Sequence, residues 1–141
     1  MTLRVAINGF GRIGRNVMRG WISRGADTGL EIVGMNSTSD PKTSAHLLTY
    51  DSILGKLDPS VKIETTDDTM LVNGKEIKFF ADRNPLNCPW KDWGVDLVIE
   101  STGVFNTDEK ASMHLEAGAS KVVLTAPGKG DGVGTFVVGV N

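Results

Sequence analysis

Three glycines, Gly9, Gly11 and Gly14, stand in "INGFGRIGR" at the spacing G-x-G-x-x-G. That spacing suits the binding of a dinucleotide pyrophosphate. Gly9 permits a tight exit from a strand, Gly11 lets the backbone approach phosphate, and Gly14 lets the following helix lie close to a sheet. The phosphates would rest on the free N–H groups and positive dipole end of that helix. Taken alone, the pattern also describes a glycine-rich turn that merely packs tightly. Its context favours phosphate, because a strand precedes it, a helix follows, and a second strand comes next. At the end of that second strand such a fold usually presents a carboxylate to the adenosine ribose. Here "GMNSTSD" (34–40) places Ser37 at the position, with Asn36 before it and Thr38 and Ser39 behind.

The remaining reactive residues are few. Cys88 is the sole cysteine and lies in an irregular "NPLNCPW" stretch, with no histidine near it in sequence to lower its pKa. His46 and His114 fall inside helical patterns and read as partly buried helix residues rather than bases. No spacing of His, Cys and acids matches a metal site.

The elements that must position these residues alternate along the chain. "LRVAI" (3–7) reads as a buried strand, and Ile13, Val17 and Trp21, with Met18 and Ile22 beside them, recur at helical spacing up to Gly25. "LEIVGMN" (30–36) is the second strand. Asp40-Pro41 reads as an N-cap and first-turn proline for a helix reaching about Tyr50. Over 61–80 the period shifts to two, with an Asn73-Gly74 hairpin turn. "VDLVIE" (95–100) and "KVVLTA" (121–126) read as strands around a helix that Thr107 caps, with Ala111, Leu115 and Ala119 on one side and a stop near Gly118. A glycine-rich loop then leads to a hydrophobic run, "TFVVGV" (135–140), read as a last strand. The expected fold is α/β: a Rossmann-type, doubly wound, mainly parallel sheet with an inserted β-hairpin, filling residues 1–141 as one dinucleotide-binding domain. A domain ending on a strand reads as a fragment.

Bulk composition narrows the function classes. The chain has 141 residues, 40% hydrophobic and 23% charged, which suits a single globular domain. A net charge of −2 offers no footprint for nucleic acid or an anionic membrane. No apolar run approaches spanning length. One cysteine excludes an internal disulfide and is compatible with a reducing cytosol.

The stretches "VAINGFGRIGRN", "HLLTYDS", "NGKEIKFFADRNPLNCPW", "VDLVIESTGVF" and "AGASKVVLTAPGKG" closely resemble the N-terminal, coenzyme-binding half of glyceraldehyde-3-phosphate dehydrogenase, from residue 3 to residue 141. Within that family, "NSTSD", "RNPLNCPWKDWG" and "APGKGDGVGTFVVGVN" resemble the photosynthetic, cyanobacterial and plastid branch, which accepts NADP as well as NAD. The resemblance implies that Asn8, Gly9, Phe10 and Gly11 shape the turn, and that the Arg12 and Ile13 backbones, with Gly14 behind them, hold the pyrophosphate. Arg83 would approach the adenosine ribose or its phosphate. Ser101, Thr102 and Gly103 would pass beneath adenine and ribose, with Phe105 either touching adenine or filling the core. Thr125 and Ala126 would reach toward the nicotinamide.

The resemblance further implies a missing catalytic domain carrying the nucleophilic cysteine and the base histidine, a homotetrameric parent, and a home in bacterial cytoplasm or plastid stroma. The chain alone is then expected to bind coenzyme without turnover, and to be marginally stable. A stand-alone nucleotide-binding or interaction module remains the alternative.

Ser37 is the informative departure. NAD-preferring relatives often carry aspartate there, which accepts from the ribose hydroxyls and repels a 2′-phosphate. Ser37 removes that repulsion, and with Thr38 it can donate to phosphate oxygens, leaving a site for NADP and NAD alike. The competing reading has Asp40 turn back to the ribose, although its place before Pro41 suits a helix cap.

Overall fold

The computed structural model describes all 141 residues, Met1–Asn141. Its elements in chain order are β1 (Leu3–Asn8), α1 (Arg12–Arg24), β2 (Leu30–Asn36), α2 (Pro41–Thr49), β3 (Tyr50–Asp51), β4 (Gly55–Lys56), β5 (Ile63–Thr65), β6 (Thr69–Val72), β7 (Lys75–Phe80), β8 (Leu97–Glu100), α3 (Asp108–Glu116) and β9 (Lys121–Leu124). One seven-stranded sheet has the order β5-β6-β7-β2-β1-β8-β9. From β7 to β9 neighbouring strands are parallel, while β5 and β6 are antiparallel. The chain steps outward from β1 to β2, then returns to place β8 on the other side of β1. That reversal is the doubly wound topology expected from the alternation of elements.

Both faces of the sheet are covered, so its central strands are apolar without interruption. Val5, Ile7, Ile32 and Met35 face Met18 and Trp21 of α1 and Leu48 of α2. Ala6, Val33 and Val98 face the opposite way, onto Cys88, Trp90, Val95 and Ala119. Ile32 and Met35 share a face although three residues apart, because the β1–β2 register slips: Val5 pairs with Ile32 and Ala6 with Gly34, bulging Val33. Each fully buried side chain of this kind contributes about 1.5–3 kcal/mol. Trp21 also donates its indole N–H to the Leu30 carbonyl at 2.8 Å, fixing α1 to the start of β2.

Local signals act where the sequence places them. Asp40 caps α2 by accepting from the Thr43 N–H at 2.7 Å, and Thr107 caps α3 by accepting from Lys110 at 3.2 Å. Asn73 and Gly74, both at positive φ, join Val72 to its partner Lys75. The inserted hairpin is built into the main sheet, because β7 continues it in parallel beside β2.

Four expectations need correction. Residues 135–140 form no strand: they find no ladder partner and close into a turn, with Asn141 accepting from the Val137 N–H and donating to the Thr135 carbonyl. The buried stripe of α1 is Gly14, Met18 and Trp21, with Ile13 48% exposed, since contact with the neighbouring loop begins at Gly14. On α3 it is His114 that joins Ala111 in the interior, while Leu115 faces solvent. His46 is exposed rather than partly buried, its ring beside Tyr50. A short β3–β4 hairpin, outside the expected elements, follows α2, and Arg19 of α1 holds it through the Leu48, Thr49 and Gly55 carbonyls.

Candidate functional site

Where the strand order reverses, β1 and β8 stay paired to their last residues, Asn8 and Glu100. The chain beyond them leads to α1 and α3 on opposite faces of the sheet and leaves a crevice. A groove of about 640 Å³ opens there, within the roughly 300–1,000 Å³ typical of cofactor pockets. Its floor is the glycine turn. Gly9 leaves β1 at φ +90°, donates to the Asn36 carbonyl at 2.9 Å, and has Thr102 so close that a Cβ would lie 2.7 Å from its methyl and 2.9 Å from its N. Ser101 donates its hydroxyl to the Gly9 carbonyl at 2.6 Å, tying the turn to β8. Gly14 sits directly beneath, against Gly9 and Ser101, and is therefore buried below the groove rather than lining it. Gly11 is the N-cap of α1 and offers no side-chain cap, and the first turn holds no acid. The first N–H groups of α1 are therefore left for an anion.

The groove brings together Asn8, Gly9, Phe10, Gly11, Asn36, Ser37, Thr38, Arg83, Ser101, Thr102 and Phe105 from the sequence reading. Six others lie off it. Arg12 turns its side chain to Asp51, 3.5 Å away, and Ile13 faces solvent, so only their backbones address the helix end. Gly14 is underneath. Gly103, at φ +77°, is exposed beyond the wall, and Thr125 and Ala126 follow β9, where Thr125 donates its N–H to the Glu100 carbonyl at 3.1 Å.

Five lining residues were missed: Arg15, Ser39, Leu47, Asp82 and Val104. Arg15 is the notable one. It donates to the Phe10 carbonyl at 3.0 Å, while its Nε is buried without a partner. Its place one turn after Gly11 was the available signal.

At the end of the groove beside β2, Ser37 donates its N–H to the Phe80 carbonyl and accepts from the Ser39 N–H at 3.1 Å. The hydroxyl hydrogen of Ser37 remains free to donate. Arg83 has neither an ion pair nor a hydrogen bond of its own, leaving its guanidinium free at the rim. Asp82 lines the groove, but its carboxylate is engaged by the Asn84 N–H (2.7 Å) and Asn87 amide (3.1 Å), which hold it below the usual aspartate range. Asp40 lies outside the groove, and its Thr43 bonds hold its carboxyl low as well.

Beneath the groove a buried polar chain crosses the strand ends. Asn8 of β1 donates to Glu100 Oε2 at 2.6 Å, and Asn36 of β2 donates to Asn8 Oδ1 at 2.8 Å and to the Asp82 carbonyl at 2.7 Å. Glu100 also accepts from Thr102 and meets His114 Nε2 at 2.6 Å. Burial pushes the Glu100 carboxyl up, but these bonds, led by His114, outweigh it and hold the group below its ordinary value. Phe105 lines the groove and also packs edge-on against the buried His114. Cys88 is only 3% exposed, and burial, helped by Asp82 and Glu100, raises its thiol to about 12, the opposite of a reactive cysteine.

A glycine turn on a helix N-terminus at the reversal point of a doubly wound sheet defines a dinucleotide-binding domain of the Rossmann class. Comparison with known proteins agrees: residues 3–108 match the family model described as "Glyceraldehyde 3-phosphate dehydrogenase, NAD binding domain". The chain belongs to that family, whose coenzyme is a nicotinamide dinucleotide. It is 62% identical to glyceraldehyde-3-phosphate dehydrogenase 2 of Synechocystis sp., over 98% of this chain and 40% of the relative. It is 59% identical to the enzyme of the same name from Trichormus variabilis, over 99% and 40%. With the chloroplastic glyceraldehyde-3-phosphate dehydrogenase of Chondrus crispus it shares 58% identity, over 100% and 33%. The chain thus spans 33–40% of the length of these relatives.

Proposed function

We propose that this chain is the coenzyme-binding part of a phosphorylating glyceraldehyde-3-phosphate dehydrogenase, and that its groove accepts NADP as well as NAD. The pyrophosphate lies over Gly11 on the N–H groups of Arg12, Ile13 and Gly14, and the adenosine ribose lies at Asn36, Ser37 and Thr38. Adenine lies by Ser101, Thr102 and Phe105, and the nicotinamide half extends toward Thr125 and Ala126. When bound, the dinucleotide exchanges a hydride with the aldehyde substrate, glyceraldehyde 3-phosphate. The residues of this chain hold and orient the coenzyme, while the nucleophile, the base and the homotetrameric assembly belong to the rest of the enzyme. The relatives in cyanobacteria and chloroplasts support a place in bacterial cytoplasm or plastid stroma.

The observation that carries the NADP reading is the ribose corner. Ser37 keeps a hydroxyl hydrogen to donate, Arg83 is unpaired, and Asp40 is consumed by its helix cap. A carboxylate at Ser37 would face a 2′-phosphate, and two unit charges about 4 Å apart repel by roughly 4 kcal/mol at an effective dielectric of about 20. The groove is open, so solvent reduces that figure. Ser37→Asp is therefore expected to weaken NADP binding relative to NAD about 100-fold, about 2.7 kcal/mol. Calorimetric titration of parent and variant with both coenzymes reads the ratio, and an unchanged ratio would remove Ser37 from the phosphate site.

A further inference from the structure

The buried chain beneath the groove has a direction, and one end fixes it. The Trp90 indole can only donate, and its Nε1 lies 2.9 Å from His114 Nδ1. Nδ1 therefore accepts, the ring hydrogen is on Nε2, and His114 donates to Glu100 Oε2 at 2.6 Å. From the opposite side, the Asp82 N–H donates to Asn36 Oδ1 at 3.0 Å, Asn36 donates to Asn8 Oδ1, and Asn8 donates to the same Glu100 Oε2. The other carboxylate oxygen accepts from the Thr102 N–H and hydroxyl, at 2.9 and 2.5 Å. Two one-way chains converge on Glu100, and its acceptor sites are filled by donors alone.

Asn8, Asn36, Glu100 and His114 are all among the buried polar residues, and they link the carboxyl ends of β2, β1 and β8 to α3. Asn8, Asn36 and Thr102 line the groove, whereas Glu100, His114 and Trp90 do not.

We infer that Glu100 is a positioning residue of the coenzyme site: its carboxylate, oriented by His114 and Trp90, holds Asn8 and Thr102 in the arrangement that receives the dinucleotide. The assignment rests on the coenzyme reading of the groove. Only an acceptor with two equivalent oxygens both closes the two chains, at Oε2, and receives Thr102, at Oε1. In Glu100→Gln, which keeps the size, an amide N–H must confront either His114 and Asn8 or the Thr102 backbone N–H, so one wall of the groove shifts whichever way the amide turns.

The test is calorimetric titration with NADP and NAD of the chain carrying Glu100→Gln, at a temperature where circular dichroism shows it fully folded. At least a tenfold loss of affinity for both coenzymes is expected. His114 supplies a second pair of variants that never touch the groove. His114→Gln keeps a donor for Glu100 and an acceptor for Trp90, and is expected to bind within about threefold of the parent. His114→Leu removes both, and is expected to lose about tenfold. A merely structural role would lower melting temperatures in all three and leave the affinity of folded protein unchanged, and that result overturns the assignment. Should Glu100→Gln not fold, the His114 pair decides alone. ¹⁵N resonances of His114 provide a further check: an unprotonated Nδ1 with a protonated Nε2 is expected, and the reverse tautomer overturns the direction of the chain. If the folded parent binds neither coenzyme, the coenzyme reading itself fails; if the parent binds and the variants bind equally well, only the role of Glu100 falls.

Discussion

Gly11 and Gly14 belong to one motif, yet the structure gives them different duties, and alanine at each separates them. A Cβ on Gly14 would run into the Gly9 carbonyl oxygen and stand 3.0 Å from Ser101 Oγ and 3.3 Å from the Gly9 carbonyl carbon. The obstacle is chiefly backbone, so relief requires helix and turn to part. Overpacking of this kind costs up to about 3 kcal/mol, while replacing a helical glycine by alanine returns about 1 kcal/mol. The net loss is about 2 kcal/mol, roughly 4–8 °C in melting temperature for a domain of this size. Gly11 is the opposite case: nothing lies within 4 Å of its Cβ position, and its φ of −77° suits alanine. Losing an N-cap glycine costs below about 1 kcal/mol, but the methyl would project into the place proposed for the pyrophosphate. Gly11→Ala should therefore melt close to the parent and bind dinucleotide at least tenfold more weakly, about 1.4 kcal/mol. Thermal melts and calorimetric titrations of both variants decide the matter. A Gly14→Ala chain as stable as the parent would refute the packing role, and a Gly11→Ala chain that binds as the parent does would remove the pyrophosphate from that turn.

Other outcomes follow from single environments. Cys88 should resist a thiol-specific disulfide reagent at pH 8 in the folded chain and react fully in denaturant, since its thiol is buried and raised to about 12; rapid native labelling would contradict this. Asp40→Ala removes the cap of α2 and should destabilise by about 1 kcal/mol, measured by urea unfolding, with coenzyme preference unchanged; a shift in NAD affinity would return Asp40 to the ribose. The depressed carboxyl of Glu100, joined in the same sense by Asp40, Asp51, Asp58 and Asp82, makes stability pH-dependent. Their contribution is complete above the unfolded carboxylate values of about 3.9–4.3 and declines as pH falls through the lower folded values. Urea midpoints should therefore drop on acidification below about pH 4, and a flat profile there would contradict the hydrogen-bond assignments.

Features encoded within a few residues were legible in the sequence. The glycine turn, the Asp40 and Thr107 caps and the Asn73-Gly74 hairpin each act through their own backbone geometry, and each forms where it was read. Features that depend on distant partners were not. His114 is drawn inward by Trp90 and Glu100, 24 and 14 residues away, against a helical pattern that favoured Leu115. Arg15 and Asp82 reach the groove because α1 and the segment after β7 converge there, which spacing alone does not reveal. The hydrophobic run 135–140 carries strand propensity, but a strand also needs a neighbour to pair with, and Phe136 and Val140 stay largely exposed.

The central claim is that the groove at the carboxyl ends of β1 and β8 receives a nicotinamide dinucleotide through the glycine turn and tolerates a 2′-phosphate at Ser37. Calorimetric titration of the unaltered chain with NADP and with NAD, at matched salt, tests it most directly. Both are expected to bind at one site per chain, with NADP at least as tight as NAD. Binding of NAD alone would contradict the phosphate-tolerant corner, and a folded chain that binds neither would contradict the site itself.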